Sequence, residues 1–468
     1  MASGMSAASS GSPPKPTRVG ESFGACFAVA WPLMLSAAGG AVMMFIDRLF
    51  LARYSAVAIQ AALPAGLSAF TAIAFLHSVV GYSGTFVAQH AGAGARAACA
   101  RAMGQGLWLA LLCVPLLLLT VPLGNALFAW TGHAPEVQAA ERVYYLTLVL
   151  GNLTVPFGAA VTGFFSGLGR TRLVMAATLA GNLANVALDP FLIWGWCGLP
   201  ELGIMGAGLA TALSQGLALA ILLAALCRER HLATGRRRQV AFAWQGETLW
   251  RIVRFGLPSG GHVLLDISTF TVFVLLTGRM DALSFAASNV GFAINNLIFA
   301  PLMGIGMASG ILAGRRMGEG RPDAAVRETW RCLGLGWAYI GLCWLAIGLG
   351  SRGVLALFYP PDAPFGLAEF LSLGRKLILI FLLWAWFDTM NLVLGGSLKG
   401  AGDTRFVMVW VAGTSLLGWL PLLFLCHALG CGIVALWLTM LAYVVAAALG
   451  LLARFLRGRW KALRLLEA

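Results

Sequence analysis

Charged side chains are scarce in this chain of 468 residues, because Asp, Glu, Lys and Arg together make up 11% of it and hydrophobic residues 59%. The mean hydropathy is +0.84. A soluble protein of this length needs a charged exterior, so the composition excludes a soluble globular fold. Apolar stretches near the ~20 residues that cross a bilayer as helix recur along the chain. They predict an all-α polytopic membrane protein with twelve transmembrane helices, at residues 23–52, 57–88, 98–122, 139–163, 172–196, 204–227, 250–277, 283–312, 328–350, 368–397, 406–426 and 432–453.

Acidic residues are the scarcer charge, with 18 Asp and Glu against 32 Lys and Arg, a formal net charge of +14. A nucleic-acid partner is one explanation of such an excess, but the distribution favours a topological one. With the N-terminus in the cytoplasm, 25 of the 32 basic residues fall on the cytoplasmic side, as the positive-inside rule predicts. Seven fall towards the outside: Arg48, Arg53, Arg142, Arg279, Arg352, Arg375 and Lys376. We therefore expect a multi-pass plasma (inner) membrane protein in the lipid bilayer, with both termini cytoplasmic and no nucleic-acid partner.

Metal-binding and disulfide patterns are also lacking. The nine cysteines and six histidines are scattered, without CxxC or His-paired spacing. The sequence therefore predicts no metal site, and most cysteines are expected to pack as small apolar side chains. Cys426 and Cys431 flank a predicted outer turn. Whether they pair stays open at this point.

The two halves of the chain resemble each other in register. Pro32 in "WPLMLSAAGG" aligns with Pro258 in "LPSGGHVLLD". At the same offset, "AQHAGAGARAA" (88–98) aligns with "GRRMGEGRPDAA" (314–325). "FSGLGRTRLVM" (165–175) aligns with "LKGAGDTRFVM" (398–408) at a slightly larger offset. The difference in offset fits a longer outer loop in the second half, near "FYPPDAPFG". Six crossings in each half is an even number, so the repeats are parallel. They are expected to be two six-helix bundles related by a pseudo-two-fold axis along the membrane normal.

This duplication predicts the domain organisation. Residues 23–227 form an N-lobe of helices 1–6, and residues 250–455 form a C-lobe of helices 7–12. A basic cytoplasmic linker at 228–249 joins them, with a disordered cytoplasmic tail at 1–22 and a basic cytoplasmic tail at 456–468. Such duplication is typical of transporters whose two bundles rock about a site between them.

Four acids stand out inside the predicted helices, where each costs roughly 2.5–3.5 kcal/mol at mid-membrane. They are Asp47, Asp189, Asp266 and Asp388. For a single acid, a structural helix–helix hydrogen bond is as good an explanation as function. For four acids without a matching intramembrane Lys, a wet cavity or an ion site is favoured.

The positions of the acids predict two groups. At 1.5 Å per residue, Asp47 and Asp189 lie about 35 Å and 26 Å along helices 1 and 5, which both run outward, so both acids belong to the outer half of one bundle. Asn185 and Asp189 share a helix face. An amide oxygen beside two carboxylates suits a transient Na⁺, or a pair that shares a proton. Asp266 and Asp388 lie about 18 Å along helices 7 and 10, counted from Arg254 and Lys376, and form a separate acidic site or a cavity lining that favours cations.

The order and spacing of several motifs over residues 23–455 resemble the multidrug and toxic compound extrusion transporters. The motifs are "DRLFLARYSAVAIQAAL", "FVAQHAGAG", "FSGLGRTR", "NLANVALDP", "GIMGAGLATALSQG", "GLPSGGHVLLD", "NNLIFAPLMGIGMASG" and "GSLKGAGDTR". The resemblance implies a twelve-helix antiporter that exports cationic or amphipathic compounds in exchange for Na⁺ or H⁺. We expect a monomer that needs no other cofactor. No ATP-binding motif is recognised, so transport is expected to be secondary.

The resemblance also implies roles for individual residues. Asp47, Asn185 and Asp189 match an N-lobe ion site, and Thr211 is the expected helix-6 member of that site. Pro32 matches a proline associated with bending of helix 1.

Asp266 and Asp388 match acids that the norfloxacin-exporting branch uses in its C-lobe. This chain carries acids at both lobes' positions, so the resemblance does not decide which lobe holds the coupling ion. Arg48 also departs from the family, which tends to have a small or polar residue beside the helix-1 acid. Adjacent helical residues point about 100° apart, which makes local pairing of Arg48 with Asp47 the less favoured arrangement.

Three rival interpretations remain. A flippase for lipid-linked saccharides or cell-wall precursors belongs to the same superfamily, but its cavity is often lined with Arg. The sequence "GAGD" ending at Asp403 spells an intramembrane aspartyl protease motif with Asp388 as partner, yet it repeats "GLGRTR" and is expected to be a cytoplasmic turn. "GIGMASG" (304–310) lacks the strand and lysine of a nucleotide loop and is expected to be helix-packing glycine. The sequence thus predicts a transporter and not an enzyme.

Overall fold

The computed structural model describes residues 22–229, 235–359, 364–463 and 465–466. The predicted tail at 1–22, apart from Ser22, lies outside the described residues, as do parts of the predicted linker, of the outer loop near "FYPPDAPFG" and of the C-terminal tail. Twelve helices in the described ranges are long and apolar enough to cross a membrane, which confirms the predicted fold class. They are α1 (Phe23–Tyr54), α2 (Ala56–Gly92), α3 (Arg96–Trp130), α4 (Pro135–Gly167), α5 (Thr171–Ile193), α6 (Gly203–Cys227), α7 (Gly246–Thr277), α8 (Ala282–Gly318), α9 (Pro322–Leu357), α10 (Leu367–Ala401), α11 (Thr404–Ala428) and α12 (Ile433–Leu456).

Several helices are longer than predicted because they continue past the hydrocarbon layer. Helix α8 has 37 residues, about 55 Å at 1.5 Å per residue, against a hydrocarbon core of about 30 Å. Polar caps serve the ends that reach water: the Asp281 carboxylate accepts the Ser284 amide hydrogen bond at 3.0 Å, and hydrogen bonds from Ser284 lower the pKa of Asp281. At its far end α10 reaches Ala401, so Lys399 lies inside the helix.

Three helices are interrupted where a proline or a break in the helical hydrogen-bond pattern leaves backbone groups without their helical partners. Helix α2 consists of Ala56–Gly81 and Ser83–Gly92, and α4 contains a 3₁₀ turn at Asn152–Thr154 just before Pro156. Helix α11 widens into a π-helical turn at Gly413–Trp419. A proline removes a backbone donor, and such irregular backbone is tolerated in a membrane only where neighbouring helices compensate for it.

The internal repeat is visible in the turns between helices. Gly94 and Gly320, which the repeat aligns, both have positive φ (+74° and +69°). Gly169 and Gly402, which the later block of the repeat aligns, do so as well (+79° and +104°). Glycine adopts this left-handed backbone without the strain that a side chain brings. The two halves therefore make the same turns at equivalent positions.

Buried apolar side chains form two clusters. Each cluster also includes residues from the start of one helix that belongs to the other half of the chain. Most residues of one cluster lie on α2–α6, but Leu249 and Ile252 from the start of α7 join it. Most residues of the other lie on α8–α12, but Val29 and Leu33 from the start of α1 join it. Helices α1 and α7 are equivalent in the repeat, so the exchange obeys the pseudo-two-fold symmetry.

The two lobes join at the end of the bundle that carries the basic loops, here called the basic end. A Cβ on Gly92 would collide with the Arg315 carbonyl oxygen, and a Cβ on Gly318 would collide with that of Gln89. The repeat also aligns Gln89 with Arg315, so these two close approaches are symmetry-related. The Gln89 side-chain amide also donates a hydrogen bond to the Gly400 carbonyl at 2.9 Å. Only glycine allows helices α2 and α8 to approach this closely.

Further contacts extend this junction towards the membrane interior. The Tyr82 hydroxyl of α2 donates to the Lys399 carbonyl of α10 at 2.8 Å, and the Ser78 and Ser259 hydroxyls lie 3.2 Å apart. The buried thiols of Cys26 and Cys332 also lie 3.2 Å apart, between α1 and α9. The lobes are therefore held together at the predicted cytoplasmic end.

Candidate functional site

The four predicted N-lobe residues come together inside the first bundle. Asp47 on α1 is 8% exposed, and Asn185 and Asp189 on α5 are fully buried. Their helices pack against each other, and α5 also packs against α6. The Asn185 amide points to the Thr211 hydroxyl of α6 at 3.4 Å, and the carboxylates of Asp47 and Asp189 interact electrostatically. These residues form the N-lobe acid site.

Oxygen atoms of the N-lobe acid site are buried without hydrogen-bond donors. They are Oδ1 of Asp47, Oδ1 of Asn185 and both carboxylate oxygens of Asp189. A buried carboxylate without a partner is costly, so such a group must take up a proton or a cation. Four free oxygens on two helices form a donor set that fits either Na⁺ or H⁺.

No ion pair with Asp47 or Asp189 is formed in the described part of the N-lobe, although Arg48 is near enough to Asp47 to interact electrostatically with it. Arg48 is exposed while Asp47 is buried, and within the described ranges no ion pair joins a basic side chain to Asp47 or Asp189. This geometry agrees with the expectation that Arg48 and Asp47 do not form a local ion pair.

One N-lobe residue escapes prediction from sequence. Tyr144 on α4 is 5% exposed and lies close enough to Asp47 and Asp189 to interact electrostatically with both. The stretch "VYYLTLVL" resembles an ordinary apolar helix, so nothing in its pattern marks the first tyrosine as polar lining. Only the packing of α4 against α2 and α6 shows it.

The two predicted C-lobe acids also lie near each other. Asp266 on α7 and Asp388 on α10 interact electrostatically, and Tyr443 on α12 interacts with both. The Asp266 side chain is 48% exposed although it lies in the middle of a membrane-spanning helix. It therefore does not lie in the packed core, and it borders an open space near Asp388 on α10 and Tyr443 on α12.

Two basic groups accompany these acids, and one of them corrects a predicted helix end. The apolar run predicts that helix 10 ends at residue 397, which leaves Lys399 beyond it. Helix α10 continues to Ala401, and Lys399 lies close enough to Asp266 to interact electrostatically with it. His262, one turn before Asp266 on α7, places Nδ1 3.3 Å from Oδ2 of that carboxylate. Asp266, Asp388, His262, Lys399 and Tyr443 form the C-lobe acid site.

Pro32 lies buried within α1, which runs without interruption from Phe23 to Tyr54. The Ser36 hydroxyl donates to the Pro32 carbonyl at 2.8 Å. The bend of helix 1 at Pro32 stays a prediction, since the helix is continuous in this conformation.

The rival motifs have other roles. Asp403 forms an ion pair with Arg454 at 2.7 Å at the basic end, and Asp388 lies about 20 Å away along α10, too far for a catalytic pair. Gly306 and Gly310 lie against the Leu392 and Gly396 carbonyls of α10, so "GIGMASG" packs helices. Among the described residues no group of three or more His, Cys, Asp or Glu could hold a metal ion, and Cys426 and Cys431 are free thiols.

Comparisons with known proteins agree with this architecture. The MatE family model matches residues 32–191 and 258–424, one segment in each lobe. The chain is 30% identical to the probable multidrug resistance protein NorM of Bradyrhizobium diazoefficiens over 82% of each chain, and 30% identical to that of Pseudomonas putida over 94% of each. A MOP superfamily transporter from Pyrococcus furiosus has the same fold, with a TM-score of 0.80 at 18% identity over 94% of this chain and 96% of its own. The chain therefore belongs to the multidrug and toxic compound extrusion (MATE) family.

Proposed function

We propose that this protein is a secondary antiporter that exports cationic or amphipathic organic compounds in exchange for Na⁺ or H⁺. The observation that carries the proposal is the set of buried, donor-free oxygens of Asp47, Asn185 and Asp189 in a chain of this family. Such a site exchanges a small cation or a proton, because its charge is otherwise uncompensated. The multidrug names of the relatives support organic cargo.

The lobes supply the alternation that antiport requires. Because they are joined at the predicted cytoplasmic end, we infer that this conformation faces outward, with Asp266 in contact with external water. The coupling ion enters the N-lobe acid site and cargo leaves the cavity. Helix α1 then bends near Pro32, the outer side closes, and release of the ion to the cytoplasm recharges the acids for new cargo. Coupling requires that ion and cargo bind the two states with different affinities.

The proposal also includes the oligomeric state, the membrane location and the partners of the protein. The protein works as a monomer in the inner membrane, with both termini in the cytoplasm and small organic molecules as its partners. Flippase activity on a lipid-linked precursor is the weaker alternative, because the two acids of the C-lobe acid site outnumber its single lysine. A pyrophosphate group would favour the opposite charge balance.

Reconstituted transport tests the proposal. Purified protein in liposomes is loaded with a fluorescent cation and exposed to an imposed Na⁺ gradient and, separately, to a pH gradient. We expect one of the gradients to drive transport, and Asp189→Asn and Asp388→Asn to lower the rate. Glu136→Gln is the matched control, because this acid is exposed in the first turn of α4. Unchanged transport in both Asp variants at equal protein amounts would contradict the scheme.

A further inference from the structure

A cavity of opposite charge to the acid sites lies at the basic end. It measures about 170 Å³ and is lined by residues of α2, α3 and α7, by Gln245 and by Leu466. Its basic side chains are His90 on α2, Arg101 on α3 and Arg251 on α7. A water molecule takes up about 30 Å³, so the cavity has room for a small polyatomic ion. We call it the basic cavity.

The positive charges of the basic cavity are not compensated within the described part of the chain. His90 lies close enough to Arg101 and Arg251 to interact electrostatically with both. No ion pair joins either guanidinium group to a carboxylate of the described residues. Glu247, the acid at the start of α7, is exposed and does not line the cavity. Basic groups held together without a counter-charge repel each other, so this arrangement favours an anion between them.

Arg251 also presents an unused hydrogen-bond donor. Its Nε is buried and has no acceptor, while a terminal nitrogen of the same guanidinium group donates to the Leu465 carbonyl. A buried N–H without an acceptor is costly, and an oxyanion in the cavity would supply that acceptor. The Thr248 hydroxyl donates to Oε1 of Gln245 at 3.3 Å, which is long for a hydroxyl hydrogen bond. The cavity therefore offers guanidinium and hydroxyl donors, a combination that suits the oxygens of a phosphate group.

The basic cavity lies at the depth expected for lipid headgroups. Its helical lining residues fall within about two turns of the ends of α2, α3 and α7. On α3, Trp108 donates to the Phe242 carbonyl at 2.9 Å and packs edge-to-face against Trp244. Tryptophan is typical of the membrane–water interface, and basic pockets between helices at the cytoplasmic surface recognise the headgroups of anionic lipids.

We propose that the basic cavity binds a phosphate group, which Arg101 and Arg251 hold through their guanidinium groups. The phosphate belongs to an anionic phospholipid of the adjacent leaflet or is free inorganic phosphate, since both present the same oxygens. Leu465 and Leu466 pack against the cluster of α2–α6, and Arg251 holds the Leu465 carbonyl. Bound phosphate therefore stabilises the contact between the segment after α12 and the N-lobe. This inference does not depend on the proposed export of cations.

Thermal unfolding of the delipidated full-length chain in a non-ionic detergent tests the inference. The probes are inorganic phosphate at constant ionic strength and dihexanoyl phosphatidylglycerol, with dihexanoyl phosphatidylcholine as the zwitterionic comparison. Affinity follows from the rise in melting temperature with probe concentration, because a ligand of the folded state raises it. Phosphatidylglycerol should bind at least about tenfold more tightly than phosphatidylcholine, whose choline cation is repelled by the guanidinium groups.

The two probes also distinguish the sources of the phosphate. Similar affinities of inorganic phosphate and phosphatidylglycerol would identify free phosphate as the ligand, and much tighter binding of the lipid would identify a headgroup. The inference is overturned if the wild type shows no saturable binding of either probe.

Variants assign the binding to the basic cavity. Arg101→Gln and Arg251→Gln should each weaken the affinity for phosphatidylglycerol about tenfold, and Arg101→Lys should weaken it less, because lysine keeps the charge but not the planar pair of donors. Arg254→Gln is the matched control, since this arginine is exposed on the same helix as Arg251 and does not line the cavity. Each shift is measured from the variant's own melting temperature without ligand, so lower stability does not imitate weaker binding. Wild-type affinity in both Gln variants of the cavity, or an equal loss in Arg254→Gln, would contradict the assignment.

Discussion

The N-lobe and C-lobe acid sites hold the same kind of side chain in opposite environments. In the N-lobe, Asp189 is fully buried and none of the basic side chains in the described parts of the chain forms an ion pair with it. In the C-lobe, Asp266 is 48% exposed and has a histidine within 3.3 Å. A buried site without an ion-pair partner suits a small ion or a proton, whereas a more exposed site can admit a large organic cation.

The repeat makes this contrast informative. The glycine turns and the contacts of Gly92 and Gly318 obey the pseudo-two-fold symmetry, but the acids do not. The alignment of Pro32 with Pro258 places Phe273 opposite Asp47, and Gly40 opposite Asp266. The scaffold is thus duplicated and the chemistry is not. This difference favours a division of labour, with ion binding in one lobe and cargo binding in the other.

The largest expected effect comes from neutralising the N-lobe acids. Asp47→Asn and Asp189→Asn should each lower gradient-driven transport about a hundredfold, and the double variant should lose no more than either single variant. The reason is that the two carboxylates act as one ion-binding unit. Initial rates in liposomes at matched protein density measure this.

The C-lobe acids provide the contrasting result. Asp266→Asn and Asp388→Asn should each weaken transport about tenfold, and their effects should be closer to additive than those of the N-lobe pair, because the exposed Asp266 carboxylate is more strongly screened than the buried Asp189 carboxylate. Additive losses in the N-lobe, or a complete loss from either C-lobe variant alone, would contradict the division of labour.

A change of selectivity of similar size is expected from Lys399, the lysine of the C-lobe acid site. Lys399→Met changes the balance of the C-lobe acid site from −1 to −2, so binding should shift from the monovalent tetraphenylphosphonium towards the divalent dequalinium by about tenfold. Competition between the two ligands at pH 8 measures the ratio. Lys376→Met, which removes an exposed lysine from the same helix, is the control. An unchanged ratio would mean that Lys399 does not act on the cavity.

Much of this picture follows from the sequence because bilayer physics is strict. Twelve apolar runs predict twelve helices, since a helix is the structure that satisfies its own backbone in lipid. Buried acids are so costly that Asp47, Asp189, Asp266 and Asp388 stand out without any structure. The i, i+4 spacing of Asn185 and Asp189 predicts their shared face, and the fold brings Asp47 to them.

What the sequence misses concerns side chains whose surroundings are made by other helices. Lys399 looks cytoplasmic because hydropathy ends the helix before it, yet the helix continues and the lysine reaches the cavity. His262 and Tyr144 are common residue types in apolar stretches, and only the arrangement of the surrounding helices gives them charged neighbours. The joined basic end is equally invisible in the sequence, since either lobe arrangement uses the same helices.

The smallest effect is expected at Tyr144, which tests whether the N-lobe acid site extends beyond the residues predicted for it. Tyr144→Phe removes a buried hydroxyl near Asp47 and Asp189, and should weaken ion-driven transport about fivefold, which corresponds to the loss of one polar group of about 1 kcal/mol from the surroundings of the ion. Tyr145→Phe is the control, because that hydroxyl points away to the Thr120 carbonyl at 3.3 Å. The ion concentration that gives half-maximal transport should be higher in Tyr144→Phe than in the wild type, while the affinity for tetraphenylphosphonium stays unchanged. If cargo affinity changes and ion dependence does not, the two sites are not divided between the lobes in this way.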